Sequence, residues 1–259
     1  MFEELPLNSK HFYHNILSFI MLMVWCFFIY KGYKTKDHII KNKISIWIVS
    51  FCFIQEAIDF INRIFLDPIY MFSIQRDLPF LQFCQVSFYF SILCILYTKK
   101  EVNKGDKYSL NQFLFDASFL LGFSGAFQGI LTPDFENINN LIGVICIQLQ
   151  HSLILLNVIW LMSAYKYKLQ FKGVYLTYLF IVFVIIPIAL ISNKILGTNS
   201  AGLSANYFYA NELPKVDNFF LNYAAQYPFP KYILYIQPTF IFYFLMLYIP
   251  FFILSKYKK

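Results

Sequence analysis

The stretch LIGVICIQLQHSLILLNVIWLMS (141–163) decides the fold class of this chain. It contains no Asp, Glu, Lys or Arg. A helix needs about 20 mostly apolar residues to cross the hydrocarbon core of a bilayer. Lipid offers the backbone no hydrogen bonds, so only helices and closed barrels cross it, and an apolar run this long is typical of a helix. The stretch therefore predicts a transmembrane helix.

Further apolar stretches of similar length lie on both sides of it. They span residues 15–31, 44–65, 79–97, 110–131, 174–192 and 233–254. The composition agrees with a membrane protein, since 59% of the residues are hydrophobic and 14% are charged, against about 45–50% and about 25% in soluble domains. We predict an all-α polytopic bundle of about seven transmembrane helices, forming a single integral membrane domain (1–259) with a long outer loop at 193–232.

The positive charges alternate between the two sides of the predicted bundle. Of the 21 Lys and Arg residues, 15 lie in the segments 31–43, 98–107, 166–173 and 255–259. Because Lys and Arg are enriched in cytoplasmic loops, this pattern predicts an outside N-terminus and a cytoplasmic C-terminus. The bias towards Ile, Lys, Asn, Phe and Tyr suggests an AT-rich genome, and we expect the plasma membrane of a bacterium.

Ionisable residues occur within the second predicted span. Glu56, Asp59 and Arg63 have the spacing i, i+3 and i+7, which places them on one face of a helix. Charges at membrane depth are costly and often mark functional sites. Asp59 and Arg63 can form an internal salt bridge that joins helices, or the three residues can line an outward cavity. Both interpretations stay open from the sequence alone.

The fourth and fifth predicted spans carry small and polar residues. Gly122, Gly129 and their small neighbours favour close helix packing, and Thr132-Pro133-Asp134 ends the fourth span at the outer interface. The fifth span holds Gln148 and His151 at mid-depth. His151 is the only histidine that we place inside a span, since His11, His14 and His38 are expected at or outside the interfaces. A lone buried histidine is usually a satisfied hydrogen-bonding group between helices.

The five cysteines all lie in apolar stretches without paired spacing, so neither a disulfide framework nor a zinc site is expected. Cys84 differs from Cys26, Cys52, Cys94 and Cys146 because Gln82 and Gln85 flank it near the outer surface. The chain has no P-loop, no G-x-G-x-x-G after a strand and no H-E-x-x-H. We therefore expect no cofactor and no metal. The expected partners are membrane lipids, not nucleic acid.

Several short motifs together resemble the YwaF family of bacterial membrane proteins, whose eukaryotic relative is transmembrane protein 164. They are Leu81-Gln82-Phe83-Cys84, the segment from Gly122 to Asp134, His151, and Asn206-Tyr207-Phe208-Tyr209 followed by Pro214. The resemblance covers most of the chain. The family commonly reads LPLHLC at the third span, so Gln82 stands where the family has a histidine. Glutamine forms hydrogen bonds but takes up no proton at neutral pH.

The eukaryotic branch is associated with acyl-chain transfer among phospholipids through a cysteine and a histidine. The resemblance implies that Cys84 is the nucleophile and His151 its base, in the outer half of the membrane. A thiol needs such a base because it is weakly ionised at neutral pH. Gln82, Asn206 or a backbone N–H would stabilise the oxyanion. The expected supporting or substrate-binding residues are Gln82, Glu56, Asp59, Arg63, Gln148, Asp134, Asn206 and Tyr207.

Two other functions remain open from the sequence. In a non-enzymatic carrier, receptor or lipid-binding protein, Glu56, Asp59, Arg63 and His151 would form a ligand or proton site. No inverted repeat or matching pair of broken helices of the kind found in secondary transporters accompanies them. An accessory subunit of a membrane complex is the other possibility, since the many Phe and Tyr residues suit either a protein partner or lipid.

Overall fold

The computed structural model describes residues 4–103, 106–213 and 219–257, and it is 72% helical. Within these ranges there is no β-strand, only an isolated bridge between Thr198 and Ser204. The helices are α1 (Leu7–Lys34), α2 (His38–Leu66), α3 (Phe83–Tyr97), α4 (Leu110–Leu131), α5 (Leu141–Tyr165), α6 (Phe171–Leu196), α7 (Phe219–Ala224), α8 (Lys231–Tyr235) and α9 (Gln237–Tyr257). The all-α prediction is confirmed.

Six helical segments of the described chain are long and apolar enough to cross a membrane: α1, α2, α4, α5, α6 and the consecutive pair α8–α9. The seventh predicted span corresponds to α3, which is apolar but has only 15 residues. The count of seven spans and the orientation of the termini therefore stay predictions. Of the charges used for that orientation, Lys104, Lys215, Lys258 and Lys259 lie outside the described residues.

The first helix begins about two turns before the predicted span because its polar residues have tertiary partners. Lys10 Nζ donates a hydrogen bond to Glu4 Oε1 at 2.7 Å. His14 Nε2 donates to the carbonyl oxygen of Ile130 at 2.9 Å. Both side chains are buried, at 3% and 1% exposure. The apolar run 15–31 includes neither Lys10 nor His14, so it alone does not predict the first two turns of α1.

The third helix begins at Phe83, four residues later than the predicted span. A residue before proline disfavours the helical conformation, and Leu78 precedes Pro79. Phe80 then has φ = 70°, in the left-handed region that helices exclude. The backbone N–H of Leu78 donates to the hydroxyl of Tyr207 instead of to a helical carbonyl. The chain therefore enters α3 from an irregular segment.

The described residues pack as two compact units. The first comprises Met1–Phe72 and Val86–Lys168, and the second comprises Ser73–Gln85 and Leu169–Lys259. Helix α3 begins in the second unit and continues in the first. The organisation as a single integral membrane domain stays a prediction.

Helices α1 and α5 of the first unit cross closely along one face of α1. That face carries, at helical spacing, His14, Ser18, Met21, Trp25, Phe28 and Gly32. Trp25 Nε1 donates to the carbonyl oxygen of Ser152 at 3.1 Å, and the Phe28 ring meets Trp160 edge to face at 5.9 Å. At Gly32 a side chain would clash with α5, since an ideal Cβ would lie 2.7 Å from Ser163 Cβ. Small residues allow membrane helices to approach in this way.

Buried hydrogen bonds connect α5 to α2 and α3. Gln55 Nε2 donates to the carbonyl oxygen of Cys146 at 3.2 Å, and Asn157 Nδ2 donates to Ser91 Oγ at 2.8 Å. Trp160 Nε1 donates to Ser45 Oγ at 2.8 Å. Such bonds between membrane helices contribute about 0.6 kcal/mol each on average. They fix the register of α5, the most buried helix among the membrane-crossing candidates.

An ion pair connects α2 to the loop before α4. Lys41, 2% exposed in its side chain, donates to Glu101 Oε1 and lies 5.9 Å from the ring centroid of Tyr165. The hydrogen bond from Lys41 holds the pKa of the Glu101 carboxyl below its ordinary value. The loop is therefore held to α2 by a charge pair whose cation is buried.

In the second unit, Tyr207 connects three segments of backbone. Its hydroxyl donates to the carbonyl oxygen of Ile74 at 2.6 Å and accepts from the N–H of Leu78 at 2.9 Å. Its own N–H donates to Asn193 Oδ1 at 2.7 Å, at the end of α6. Tyr207 is buried, and burial raises the pKa of its hydroxyl. The segment 73–82 is thereby tied to α6 and to the loop that follows it.

Candidate functional site

His151 lies on α5 with its ring against the backbone of α4. An ideal Cβ on Gly129 would lie 2.7 Å from His151 Cε1 and 3.0 Å from each ring nitrogen. Real Cβ atoms essentially never come within 3.0 Å of a non-bonded heavy atom of another residue. Gly129 therefore makes room for the imidazole. The small residues of the fourth span serve a specific side chain here, in addition to helix packing.

The His151 ring has no hydrogen-bond partner among the described residues. Its Nδ1 is buried without a partner, and none of the hydrogen bonds of the described chain involves either ring nitrogen. Buried polar side-chain atoms are generally hydrogen-bonded, and each exception needs an explanation. The described residues therefore show no hydrogen bond that joins His151 to another helix.

Replacing Gly129 by alanine is expected to displace the His151 ring while leaving the helix fold intact. Alanine favours helix by about 1 kcal/mol over glycine, so a loss of function would reflect the ring's position. Accessibility of His151 to diethyl pyrocarbonate, mapped by mass spectrometry, measures the displacement. Gly143→Ala is the control, because its Cβ would meet Ile138 Cγ2 at 3.1 Å and does not touch His151. Equal modification of His151 in the wild type and Gly129→Ala would contradict the close contact.

A second histidine, which was not predicted from the sequence, lies beside this site. His14 is buried on α1, and it bonds to Ile130, the residue after Gly129. That His14 lies at or outside the membrane interface stays a prediction, but its side chain is buried in the protein because α1 extends two turns beyond the apolar run. The stripe of His14, Ser18, Met21, Trp25, Phe28 and Gly32 at helical spacing was the signal that could have found it.

Gln148 belongs to the same neighbourhood. It lies one turn before His151 on α5 and is fully buried. Its Nε2 donates to Ser18 Oγ at 2.8 Å, and its Oε1 is buried without a partner among the described residues. The structure thus brings Gln148, His151 and His14 together around the contact between α4 and α5.

Cys84 lies in the first turn of α3, within the second unit. It is half-buried, and no described residue forms a hydrogen bond with its thiol. The other cysteines differ in setting. Cys52 and Cys94 are buried and bonded to Asn157 and to the carbonyl oxygen of Asn111, Cys146 is buried, and Cys26 is exposed on α1. Cys84 is therefore the half-buried cysteine at a helix end.

The backbone around Cys84 is irregular and aromatic. Phe83 packs against Phe208 and Phe240, with ring centroids 5.0 and 5.7 Å away. The N–H of Phe208 donates to the carbonyl oxygen of Leu81 at 3.3 Å. Both Phe80 and Phe208 have positive φ, at 70° and 54°. Such residues cost about 1–3 kcal/mol each and tend to cluster at functional sites.

The remaining expected residues of the second unit have different environments. Gln82 is exposed, two residues before Cys84. The Asn206 amide is engaged within its own loop, since Oδ1 accepts from the N–H groups of Asn211 and Glu212 and Nδ2 donates to the Glu212 carbonyl. Tyr207 supports the backbone before α3, as described above. Pro214 lies outside the described residues.

Glu56, Asp59 and Arg63 form a separate polar cluster on α2. Arg63 Nη2 lies 2.7 Å from Asp59 Oδ2, so the expected ion pair is present. Glu56 Oε1 accepts from the Tyr89 hydroxyl and Oε2 from Gln150 Nε2, both at 3.0 Å. These bonds join α2 to α3 and α5. Asp134 is apart from this cluster, exposed in the turn after α4, where it accepts from the N–H of Glu136.

The structure therefore groups the expected residues into a histidine site on α1, α4 and α5, an acidic cluster on α2, and the Cys84 segment in the second unit. The pairing of Cys84 with His151 stays a prediction. No group of three or more His, Cys, Asp and Glu that could hold a metal ion occurs within 4–103, 106–213 and 219–257.

The long apolar helices and their buried polar residues define a multi-pass helical membrane protein. The model of the TMEM164 family matches residues 7–248, and the chain belongs to this family. The matched residues include His14, His151 and Cys84. The match confirms the resemblance to transmembrane protein 164. No curated protein and no solved structure matches the chain.

Proposed function

We propose that the protein is a membrane-embedded acyltransferase that transfers acyl chains between phospholipids, with Cys84 as the nucleophile and His151 as its base. The observation that carries the proposal is the half-buried His151 imidazole, which packs against the α4 backbone and whose buried Nδ1 is unbonded to any described residue. A ring nitrogen without a protein partner is free to take a proton, as the proposed base must. Membership of the TMEM164 family supports the same assignment.

The proposed reaction has two symmetrical steps. The Cys84 thiol gives its proton to His151 and attacks an ester carbonyl of a phospholipid, and the tetrahedral intermediate collapses to a Cys84 thioester. His151 returns the proton to the leaving lysophospholipid oxygen. A second lysophospholipid then loses its hydroxyl proton to His151 and attacks the thioester, which regenerates the thiol. The two steps require no oxidant, metal or nucleotide.

Donors for the developing oxyanion are available beside Cys84. The first N–H groups of a helix have no partner within the helix, and Cys84 lies in the first turn of α3. The exposed Gln82 amide is a second candidate. Asn206 is a weaker one, since its amide oxygen and nitrogen already bond within the loop. Removing one such donor from an oxyanion hole typically costs about 100- to 1,000-fold in kcat.

Labelling with a lipid-like electrophile, such as an alkyl maleimide, tests the activated thiol. We expect purified protein in detergent to react first at Cys84, and the rate to fall in His151→Ala. Cys26, exposed on α1, is an internal control for access, and Cys52, Cys94 and Cys146 are controls for folding because they are buried. Peptide mass spectrometry gives the rate at each site. Labelling of Cys84 at the rate of Cys26, unchanged by His151→Ala, would count against the proposal.

A ligand- or proton-binding carrier has less support than the enzyme. Both carboxylate oxygens of Glu56 accept hydrogen bonds from protein side chains, and Asp59 is paired with Arg63. These contacts suit a cluster that joins α2, α3 and α5. We expect the plasma membrane of a bacterium as the location and membrane lipids as the partners of the protein.

A further inference from the structure

The hydrogen bonds around His151 determine which neighbouring atoms are donors and which are acceptors. His14 Nε2 lies 2.9 Å from the carbonyl oxygen of Ile130. A carbonyl oxygen only accepts, so Nε2 carries the hydrogen. In the neutral ring, His14 Nδ1 is then a lone-pair acceptor. It is buried without a partner among the described residues.

The same logic assigns Gln148. Ser18 Oγ donates its one hydrogen to the carbonyl oxygen of His14 at 2.8 Å. It must therefore accept from its other neighbour, Gln148 Nε2, also at 2.8 Å. This fixes the orientation of the amide and leaves Gln148 Oε1 as a second buried acceptor with no partner in the described part of the chain.

Both acceptors lie close to His151 in the fold. Gln148 is one helical turn before His151 on α5, and the Ser18 bond holds its amide at α1. His14 bonds to the carbonyl oxygen of Ile130. The His151 ring packs against the backbone of the adjacent Gly129. His14 and Gln148 are 1% and 0% exposed. The half-buried His151 imidazole thus has two buried neutral acceptors in its neighbourhood, and its own Nδ1 is buried and unbonded within the described residues.

We propose that His14 and Gln148 are positioning residues for His151, acting through one bound water molecule. The water donates a hydrogen to each of the two acceptors and accepts the N–H of His151. A buried water typically makes about three hydrogen bonds to otherwise unsatisfied polar groups. The arrangement fixes the tautomer of His151 and stabilises the imidazolium that forms when it takes the proton of Cys84. This catalytic meaning rests on the proposed function.

The role corresponds to that of the carboxylate in a Ser-His-Asp triad, which orients the imidazole and stabilises its charged form. Neutral acceptors suit a membrane interior because an unpaired carboxylate there is costly. The other titratable groups nearby on α1 have their own partners. Lys10 is paired with Glu4, and the ring of the exposed His11 packs on Phe135, with ring centroids 5.1 Å apart.

Two substitutions at His14 separate the positioning role from a structural one. Asparagine places its amide oxygen near the position of Nδ1, so His14→Asn keeps the acceptor and loses the bond to Ile130. Glutamine places its amide nitrogen near Nε2, so His14→Gln keeps that bond and loses the acceptor. We expect His14→Gln and Gln148→Leu to lower kcat for acyl exchange about 10- to 100-fold, by analogy with the partners that orient metal-bound histidines, with KM unchanged. His14→Asn should retain most of kcat.

The control is Gln55→Leu, which removes a matched amide. Gln55 is 2% exposed, donates one bond to α5 and has an unpartnered buried Oε1 among the described residues. It should leave kcat near the wild-type value. Nitrogen-15 NMR of histidine-labelled protein reports the tautomer of His151 directly, and the four histidines of the chain are assigned by single substitutions. We expect the His151 signals to change in His14→Gln and Gln148→Leu but not in Gln55→Leu.

The His151 NMR signals test the positioning role, and the rate of acyl exchange tests the proposed function. His151 signals that depend on His14 support the positioning role even if acyl exchange proves independent of Cys84, which would overturn only the enzyme proposal. His151 signals that are the same in all His14 variants overturn the positioning role, whatever the activity. Full kcat in His14→Gln together with a loss in His14→Asn would also overturn it, because only the bond to Ile130 would then matter.

Discussion

Replacing Cys84 by alanine is expected to abolish acyl exchange, lowering its rate by about 1,000-fold or more. The thioester cannot form without the thiol, and neither His151 nor an oxyanion donor can take over that bond. The assay follows an isotopically labelled acyl chain from a phospholipid to a lysophospholipid in proteoliposomes of defined composition. Mass spectrometry of the lipids gives the rate.

Two comparisons make this result specific to Cys84. Cys26→Ala removes a thiol that is exposed on α1 and should exchange acyl chains at the wild-type rate. Cys84→Ser keeps the size and polarity of the side chain but is a poorer nucleophile, so it should be nearly inactive. An intact Cys84→Ala protein that exchanges acyl chains normally would exclude the covalent mechanism. A hydroxylamine-sensitive acyl adduct on wild-type Cys84 would identify the intermediate.

Replacing Gly32 by valine is expected to lower the free energy of unfolding by about 3 kcal/mol, the largest stability effect that we predict. An ideal Cβ at this position would lie 2.7 Å from Ser163 Cβ and 3.0 Å from the backbone nitrogen of Ala164. The backbone of α5 cannot move aside as a flexible side chain can, so α1 and α5 would have to separate. Their shared contacts, including the Phe28–Trp160 ring pair, would weaken together.

A thiol-reactive fluorophore measures this loss during heating. Unfolding exposes Cys52, Cys94 and Cys146, which are buried in the native protein, and the fluorescence midpoint gives the relative stability. Ile29→Val is the control, because Ile29 is on the exposed face of α1. A midpoint for Gly32→Val that equals that of the control would show that the two helices do not cross at Gly32.

The sequence predicted the helices well because length and apolarity are local properties. The spans at 110–131 and 141–163 lie within one turn of α4 and α5 at both ends. The boundaries failed where a distant residue supplied the missing hydrogen bond. His14 is helical because Ile130 satisfies it, and Phe80 leaves the helical region in a segment that Tyr207 holds. No window of sequence contains both partners of such a bond.

The candidate site shows the same limit. Cys84 and His151 were identifiable from the resemblance, and the Asp59–Arg63 pair from its spacing within one helix. The stripe on α1 could have marked His14 as a residue that faces another helix, but its partner and the role of Gly129 depend on which helix approaches. Glycine in a small-residue segment predicts close packing, but only the structure identifies the imidazole that occupies the space.

The length of α3 has a consequence for the lipid as well as for the protein. Its 15 residues extend about 22 Å at 1.5 Å per residue, whereas the hydrocarbon core is about 30 Å thick. As the third predicted span, α3 is too short for that core, and a bilayer meets a short helix by thinning around it. Thinning moves the ester bonds of the adjacent lipids inward, towards the helix end that carries Cys84. Under the proposed mechanism, the mismatch would bring the lipid ester bond towards the Cys84 thiol, and acyl exchange should be fastest in shorter-chain membranes.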